Sequence, residues 1–278
     1  MPNSSRAYRA FRFDALGTVW HIEVEASGDV SSLQGAVIAH VRLFEDTYSR
    51  FKPTSLLGVL NSRGKLTNPP QELLDMLDFA KRMHEASRGV FNISVGATLQ
   101  NAGYGNSDQA KRLDHDLWQN MHYNQNELKL PRHVALDFGG FGKGWLIDSL
   151  GKLLREQGIE HFIINGGGDM LVSMPEPVEI ALEDPSEQGR VYGSTRFARG
   201  ALAASSVSKR QWKQTNTEHH HIIDPQHGAS SRSPIVGSFV RAESALIADV
   251  MATILIIEPS QETKLTEKFG LKTILVAA

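Results

Sequence analysis

Polar and apolar positions alternate between Phe11 and Glu25, with Trp20, Ile22 and Val24 on one face, and this period of two predicts a strand. The period then lengthens. Leu33, Val37, Val41 and Phe44 recur at helical spacing and predict a helix over Ser31–Asp46; Leu73, Leu77, Ala80 and Met83 do the same over Gln71–Ala86. Gly89 to Asn106 is rich in glycine and asparagine and reads mostly as loop. A short strand over Val134–Asp137 runs into Gly139, Gly140, Gly142 and Gly144, and a helix follows on Leu146, Leu150 and Leu154. His161–Asn165 reads as the next strand, ending at Gly166-Gly167-Gly168. Val178–Glu183, Gly200–Ala204, His221–Ile223 and Ile235–Ala242 read as further strands. Ser244–Ile257 is a helix with an almost unbroken apolar face, and Thr273–Ala277 is a closing strand. Pro69–Pro70 and Glu183–Gly193 read as surface loops.

Strands and helices do not alternate regularly in this order, which favours an α+β fold with mostly antiparallel sheet over a doubly wound parallel one. With no repeat and no long linker, residues 1–278 read as a single domain with room for a smaller subdomain in mid-chain. A hydrophobic content of 41% supports a real core. The net charge of −2 is spread over scattered groups, so no nucleic-acid surface is expected. There is no cysteine, which excludes disulfides, Fe–S clusters, thiolate zinc sites and cysteine nucleophiles. The first residues lack the apolar run of a signal peptide, and no later run is long enough for a membrane span. The expectation is a cytoplasmic protein without membrane insertion.

Four segments carry candidate chemistry. In Asp137-Phe138-Gly139-Gly140-Phe141-Gly142-Lys143-Gly144, a strand delivers a carboxylate, glycines admit a ligand to backbone amides, and Lys143 stands at a helix start. Such a helix start favours phosphate, although the segment also reads as a tight strand-to-helix turn with a solvated lysine. It is not a Walker A loop, because a glycine follows the lysine. Asn165-Gly166-Gly167-Gly168-Asp169 allows close backbone approach, to a ligand or to another strand. His219-His220-His221 suggests a metal, but neighbouring strand residues face opposite ways, so a single histidine acting as proton carrier fits better. Asp249 and Thr253 sit one turn apart on the late helix. They can serve a hard cation such as Mg²⁺, or Asp249 can pair with a lysine.

These segments, in this order, resemble the ApbE family of FAD:protein FMN transferases. Leu16-Gly17-Thr18 resembles its Met-Gly-Thr. Ser49-Arg50-Phe51-Lys52-Pro53-Thr54-Ser55 with the trailing Leu60-Asn61 resembles Ser-Thr-Tyr-x-Pro-Asp-Ser and its Leu-Asn. Ser87 to Asn92 resembles Ser-x-Gly-Ala-Phe-Asp. Asp137 to Gly144 resembles Asp-Leu-Gly-Ala-Ile-Ala-Lys-Gly, and Ala248 to Thr253 resembles Ala-Asp-Ala-Leu-Ala-Thr. The resemblance implies a T-fold-like α+β architecture with an FAD-binding cleft and Mg²⁺ as cofactor. It implies nucleotide contacts at Leu16, Phe51, Val90, Phe91, Asn92, Asp137, Lys143 and Ile223. It implies metal ligation by the Gly140 carbonyl, Asp249 and Thr253, with His221 and Lys143 assisting the reaction.

The implied reaction moves FMN from FAD to a threonine or serine hydroxyl of a partner, a flavoprotein subunit of an electron-transport complex, and releases AMP. FAD hydrolysis to FMN and AMP, and flavin binding without catalysis, are the alternatives. Asn92 and Phe51 depart from the family's Asp and Tyr, and Leu16 from its Met. Ser205-Ser206-Val207 stands where the family has Thr-Ser-Gly.

Overall fold

The computed structural model describes residues 7–104, 112–187, 189–214 and 217–278. The first six residues, the end of the Gly89–Asn106 segment and one residue of the Glu183–Gly193 loop lie outside them. The chain opens with β1 (Tyr8–Ala15), β2 (Thr18–Glu25), α1 (Ser31–Tyr48), α2 (Leu56–Arg63), β3 (Lys65–Thr67) and α3 (Gln71–Ala86). A 3₁₀ turn at Ile93–Val95 precedes α4 (Gly96–Asn101), α5 (Leu117–Asn120), β4 (His122–Tyr123), β5 (Glu127–Lys129) and α6 (Gly142–Glu156). Then come β6 (Phe162–Gly166), β7 (Asp169–Glu183), β8 (Val191–Ser206), and two small hairpins, β9 (Gln211–Gln214) with β10 (Thr217–His220) and β11 (Ile223–Asp224) with β12 (Ala229–Ser230). The last elements are β13 (Ile235–Ala242), α7 (Ala245–Ile257), α8 (Glu262–Phe269) and β14 (Lys272–Ala277).

Seven strands form the main sheet in the order β1-β2-β6-β7-β8-β13-β14, antiparallel at every pairing. The period of two sorts its residues onto two faces. Leu171, Ala201, Ala203 and Val240 join the main core with α6 and α7. Their sequence neighbours Val172, Leu202 and Phe239 join a smaller core on the other face. Helix α7 is apolar apart from Asp249 and Thr253 and is correspondingly buried. Its first turn is capped from α6, where the Asp148 carboxylate accepts the Ala245 and Leu246 amides at 2.9 and 3.0 Å and the Ser244 hydroxyl at 2.6 Å. Among the described residues no helix is long and apolar enough to cross a membrane.

The α+β expectation and both long early helices hold, and β13 spans the expected Ile235–Ala242. Four local readings change. Phe11–Glu25 is a hairpin, because Leu16 and Gly17 both have positive φ (52° and 67°) and close a two-residue turn between Ala15 and Thr18. Val134–Asp137 is no strand: the Leu136 amide and carbonyl are both taken by the Asn61 side chain, at 2.8 and 2.9 Å, and the Asp137 amide by the Ile93 carbonyl. Within Gly89–Asn106, the Asn92 side chain accepts the Ser94 amide at 2.9 Å and starts helical turns where loop is expected. His221 lies between β10 and β11 rather than in a strand.

Candidate active site

Eleven of the twelve residues singled out for FAD, metal or catalysis line one cavity of about 330 Å³. Phe51, Val90, Phe91, Asn92, Asp137, Gly140, Lys143, His221, Ile223, Asp249 and Thr253 are the residues expected there besides Leu16, and Lys143 serves two of the expected roles.

Its floor is built by α6 and α7 in close contact. A side chain on Gly144 would place its Cβ 2.5 Å from the Ala245 carbonyl oxygen and 2.7 Å from Leu246 Cα, so only glycine allows the helices to meet here. That approach lets the Gly144 amide donate to the Asp249 carboxylate at 2.9 Å. Asp249 is 4% exposed. Burial raises its pKa, while Lys143 and the Gly144 amide pull it down. One turn on, the Thr253 hydroxyl lies 3.4 Å from the Ser205 hydroxyl.

Lys143 is not a solvated lysine. Its ammonium pairs with Asp169, the first residue of β7, whose side chain is 1% exposed. The other Asp169 oxygen accepts the Ala204 amide at 3.1 Å, which ties the pair to β8. Burial lowers the Lys143 pKa, opposed by the carboxylate of Asp249, with Lys209 and Arg210 lowering it further.

The three histidines part ways. His219 stacks on Trp212, His220 bonds the Ser231 carbonyl oxygen at 3.0 Å, and His221 faces the cavity. Burial first, then Arg210, His220 and Lys143, push His221 down to about 4, against a backbone hydrogen bond with Arg210 that raises it. Its Nδ1 is buried with no hydrogen-bond partner among the described residues. The ring is therefore neutral near pH 7, lower than the near-neutral titration its type suggests.

The opposite wall is aromatic. The Arg50 guanidinium lies 4.2 Å from the centre of Phe51 and 5.3 Å from Tyr104, and pairs with Asp137. Phe51 meets Tyr104 edge-on at 5.6 Å and is 56% exposed, which leaves a ring face open to a ligand. The second Asp137 oxygen accepts the Gly139 amide at 2.7 Å, so this carboxylate also shapes the turn before Lys143.

The ApbE family matches residues 16–275. The chain belongs to the ApbE family. Among its relatives is the FAD:protein FMN transferase of Vibrio cholerae, 24% identical over 261 residues, covering 86% of this chain and 78% of the relative. The FAD:protein FMN transferase of Escherichia coli K12 is 21% identical over 286 residues, covering 94% and 82%. The solved ApbE protein of Thermotoga maritima shares the fold with a TM-score of 0.85 at 21% identity, covering 98% of this chain and 94% of that one. The flavinyl transferase ApbE of Pseudomonas stutzeri, in its apo form, does so with a TM-score of 0.82 at 18% identity, covering 100% and 93%.

In this ApbE chain, Leu16 stands apart from the expected set. Its positive φ makes the hairpin turn and its side chain packs on the main core, while its neighbours Gly17 and Thr18 line the cavity. Sequence reasoning also left out Tyr104, Lys209 and Arg210, which line the cavity, and Asp169, which holds Lys143. Asp169 carried a signal, since it follows three glycines at a strand start. Tyr104 and Arg210 come from segments that have no pattern of their own. Two departures have a local account. Asn92 donates to the Asp114 carbonyl at 3.0 Å, a bond an ionised aspartate cannot make. Val207 has no positive φ and its amide bonds the Val236 carbonyl, so its branched side chain meets no backbone strain.

Proposed function

We propose that this chain is an FAD:protein FMN transferase working as one unit over its whole length, with FAD lying in the cavity between Phe51 and the α6–α7 floor. The observation that carries this reading is the meeting of Lys143, His221, Asp249 and Thr253 in one cavity of an ApbE-family chain. Phe51 and Tyr104 offer ring faces to the flavin or adenine. Lys143, held by Asp169, sets a positive charge against the diphosphate.

Neutral His221 takes the proton of an acceptor hydroxyl. The hydroxyl oxygen then forms a bond to the FMN phosphorus, the bond from that phosphorus to the bridging oxygen breaks, and AMP leaves with the electron pair.

Magnesium fits the donor set. Asp249 is a buried carboxylate under-compensated by one amide and one ammonium, and Thr253 and the Gly140 carbonyl add oxygen ligands of the hard kind Mg²⁺ prefers. Among the described residues no three His, Cys, Asp or Glu side chains form a metal-holding group, so Asp249, Thr253 and the Gly140 carbonyl would hold the cation only together with oxygen ligands from the bound nucleotide. Bound there, the cation would offset negative charge building on the diphosphate.

The acceptor in this proposal is a threonine or serine of a flavoprotein subunit of an electron-transport complex, met in the cytoplasm. Incubation with FAD, Mg²⁺ and such a subunit should give covalent FMN on the acceptor by intact mass. AMP release without acceptor, and no mass gain with it, would make the enzyme a hydrolase instead.

A further inference from the structure

A second cavity, of about 440 Å³, lies at the other end of the sheet and shares no lining residue with the proposed active site. Four cationic residues from four elements line it: Arg155 on α6, Arg199 on β8, Arg241 on β13 and Lys272 on β14. Among the described residues, Glu243 is the one carboxylate residue lining it. None of the four cations makes an ion pair among the described residues, although a folded surface ordinarily intersperses its charges.

Two of the guanidinium groups are held by aromatic faces. Arg241 lies 4.1 Å from the centre of Phe197, and Arg155 lies 5.1 Å from that of Phe162. A guanidinium over a ring face is held by cation–π attraction, and its fork of N–H donors matches a planar or tetrahedral anion. Arg241 and Lys272 also sit directly opposite each other across β13 and β14, a like-charge pair that destabilises a sheet unless something neutralises it. Partial burial lowers the pKa of Arg241, which points to the same unmet need for a counter-charge.

We propose that this cavity is a binding site for a free phosphate-bearing small molecule, with a diphosphate or longer group bridging Arg155, Arg199, Arg241 and Lys272. Four positive charges against one carboxylate exceed what a single phosphate neutralises. Arginine supplies paired N–H donors for phosphate oxygens. The site does not depend on the transferase reading, because no residue of it belongs to the cleft.

The test is calorimetry of the full chain with inorganic pyrophosphate in EDTA, which removes metal-assisted binding elsewhere. Arg199 and Lys272 are exposed, so the double variant Arg199→Ser, Lys272→Ser should fold normally, which a thermal melt checks. The expected result is binding by the unaltered protein, weakened by about tenfold or more in the double variant. It should be unchanged in Lys209→Ser, which alters the cleft instead, and should fall steeply as salt is added. Equal affinity in the double variant, loss only in Lys209→Ser, or no heat at low-millimolar pyrophosphate would overturn the proposal. Binding to vesicles of anionic phospholipid without any binding of pyrophosphate would overturn it too, since the patch would then read a surface rather than a free anion.

Discussion

The fold alters the chemistry of two residues of the cavity, Lys143 and His221. Removing the Lys143 ammonium leaves the buried carboxylate of Asp169 without its ion-pair partner and that of Asp249 without the cation that favours its charged form. Breaking a buried pair from one side costs about 3 kcal/mol, less for a lysine that is partly exposed. Lys143→Met is therefore expected to lower unfolding free energy by about 2 kcal/mol in urea denaturation. A change within about 0.5 kcal/mol would return Lys143 to the status of a surface residue.

His221 makes a pH prediction. Its folded pKa is depressed from 6.5 to about 4, so between those values the unfolded chain binds the proton and the folded chain does not. Its contribution to stability is fully present above pH 6.5 and is lost as pH falls toward 4, a total of about 3 kcal/mol. His221→Gln should flatten that part of the curve of stability against pH; an unchanged slope would mean the ring is not buried neutral. As proton acceptor, the same ring gives an activity profile level through neutral pH, with its acid limb near pH 4 to 5 instead of at the usual histidine value. An acid limb centred above pH 6 in the ligand-free enzyme's kcat/KM would remove His221 from that role.

Long periodic elements were legible from the chain, and short or tied-down ones were not. Helices α1 and α3, the strand β13 and the apolar α7 announce themselves because tertiary packing follows their own period. Helices α2 and α8 are only eight residues each, too short for a period to stand out, and both end on glycines in the left-handed region, Gly64 and Gly270. The Val134–Asp137 segment has a strand's composition, yet a side chain 75 residues away, Asn61, occupies its hydrogen bonds. That Asp249, Thr253 and His221 line one cavity was readable through the family resemblance. Asp169 and Arg210, whose roles depend on contacts between distant segments, were not.

The meeting of α6 and α7 gives a prediction at this scale. Gly144→Ala drives a methyl group into the backbone of α7 at 2.5 Å from the Ala245 oxygen. Overpacking of this kind costs about 1–3 kcal/mol. The thermal midpoint should fall, and Mg²⁺-dependent nucleotide binding should weaken with it, because the Gly144 amide holds Asp249. Substitution without effect on either would mean the helices have room that the geometry denies.

At the scale of the whole molecule, two of the cavities among the described residues share no lining residue and differ in their electrostatics. One joins a hairpin turn, the Lys143 loop, the His221 segment and α7 around a mixture of acidic and basic side chains. The other gathers three arginines that make no ion pair among the described residues. Helix α7 begins next to Glu243 at the second site and carries Asp249 and Thr253 at the first. The central claim concerns the first cavity: FAD is held there through a cation on Asp249. Calorimetric titration of FAD with Mg²⁺ and with EDTA, on the unaltered protein and on Asp249→Ala, tests it most directly. The account predicts FAD binding that Mg²⁺ tightens by about tenfold or more, with that gain gone in the variant. FAD affinity that is the same in all four titrations, or no FAD binding at all, would contradict it.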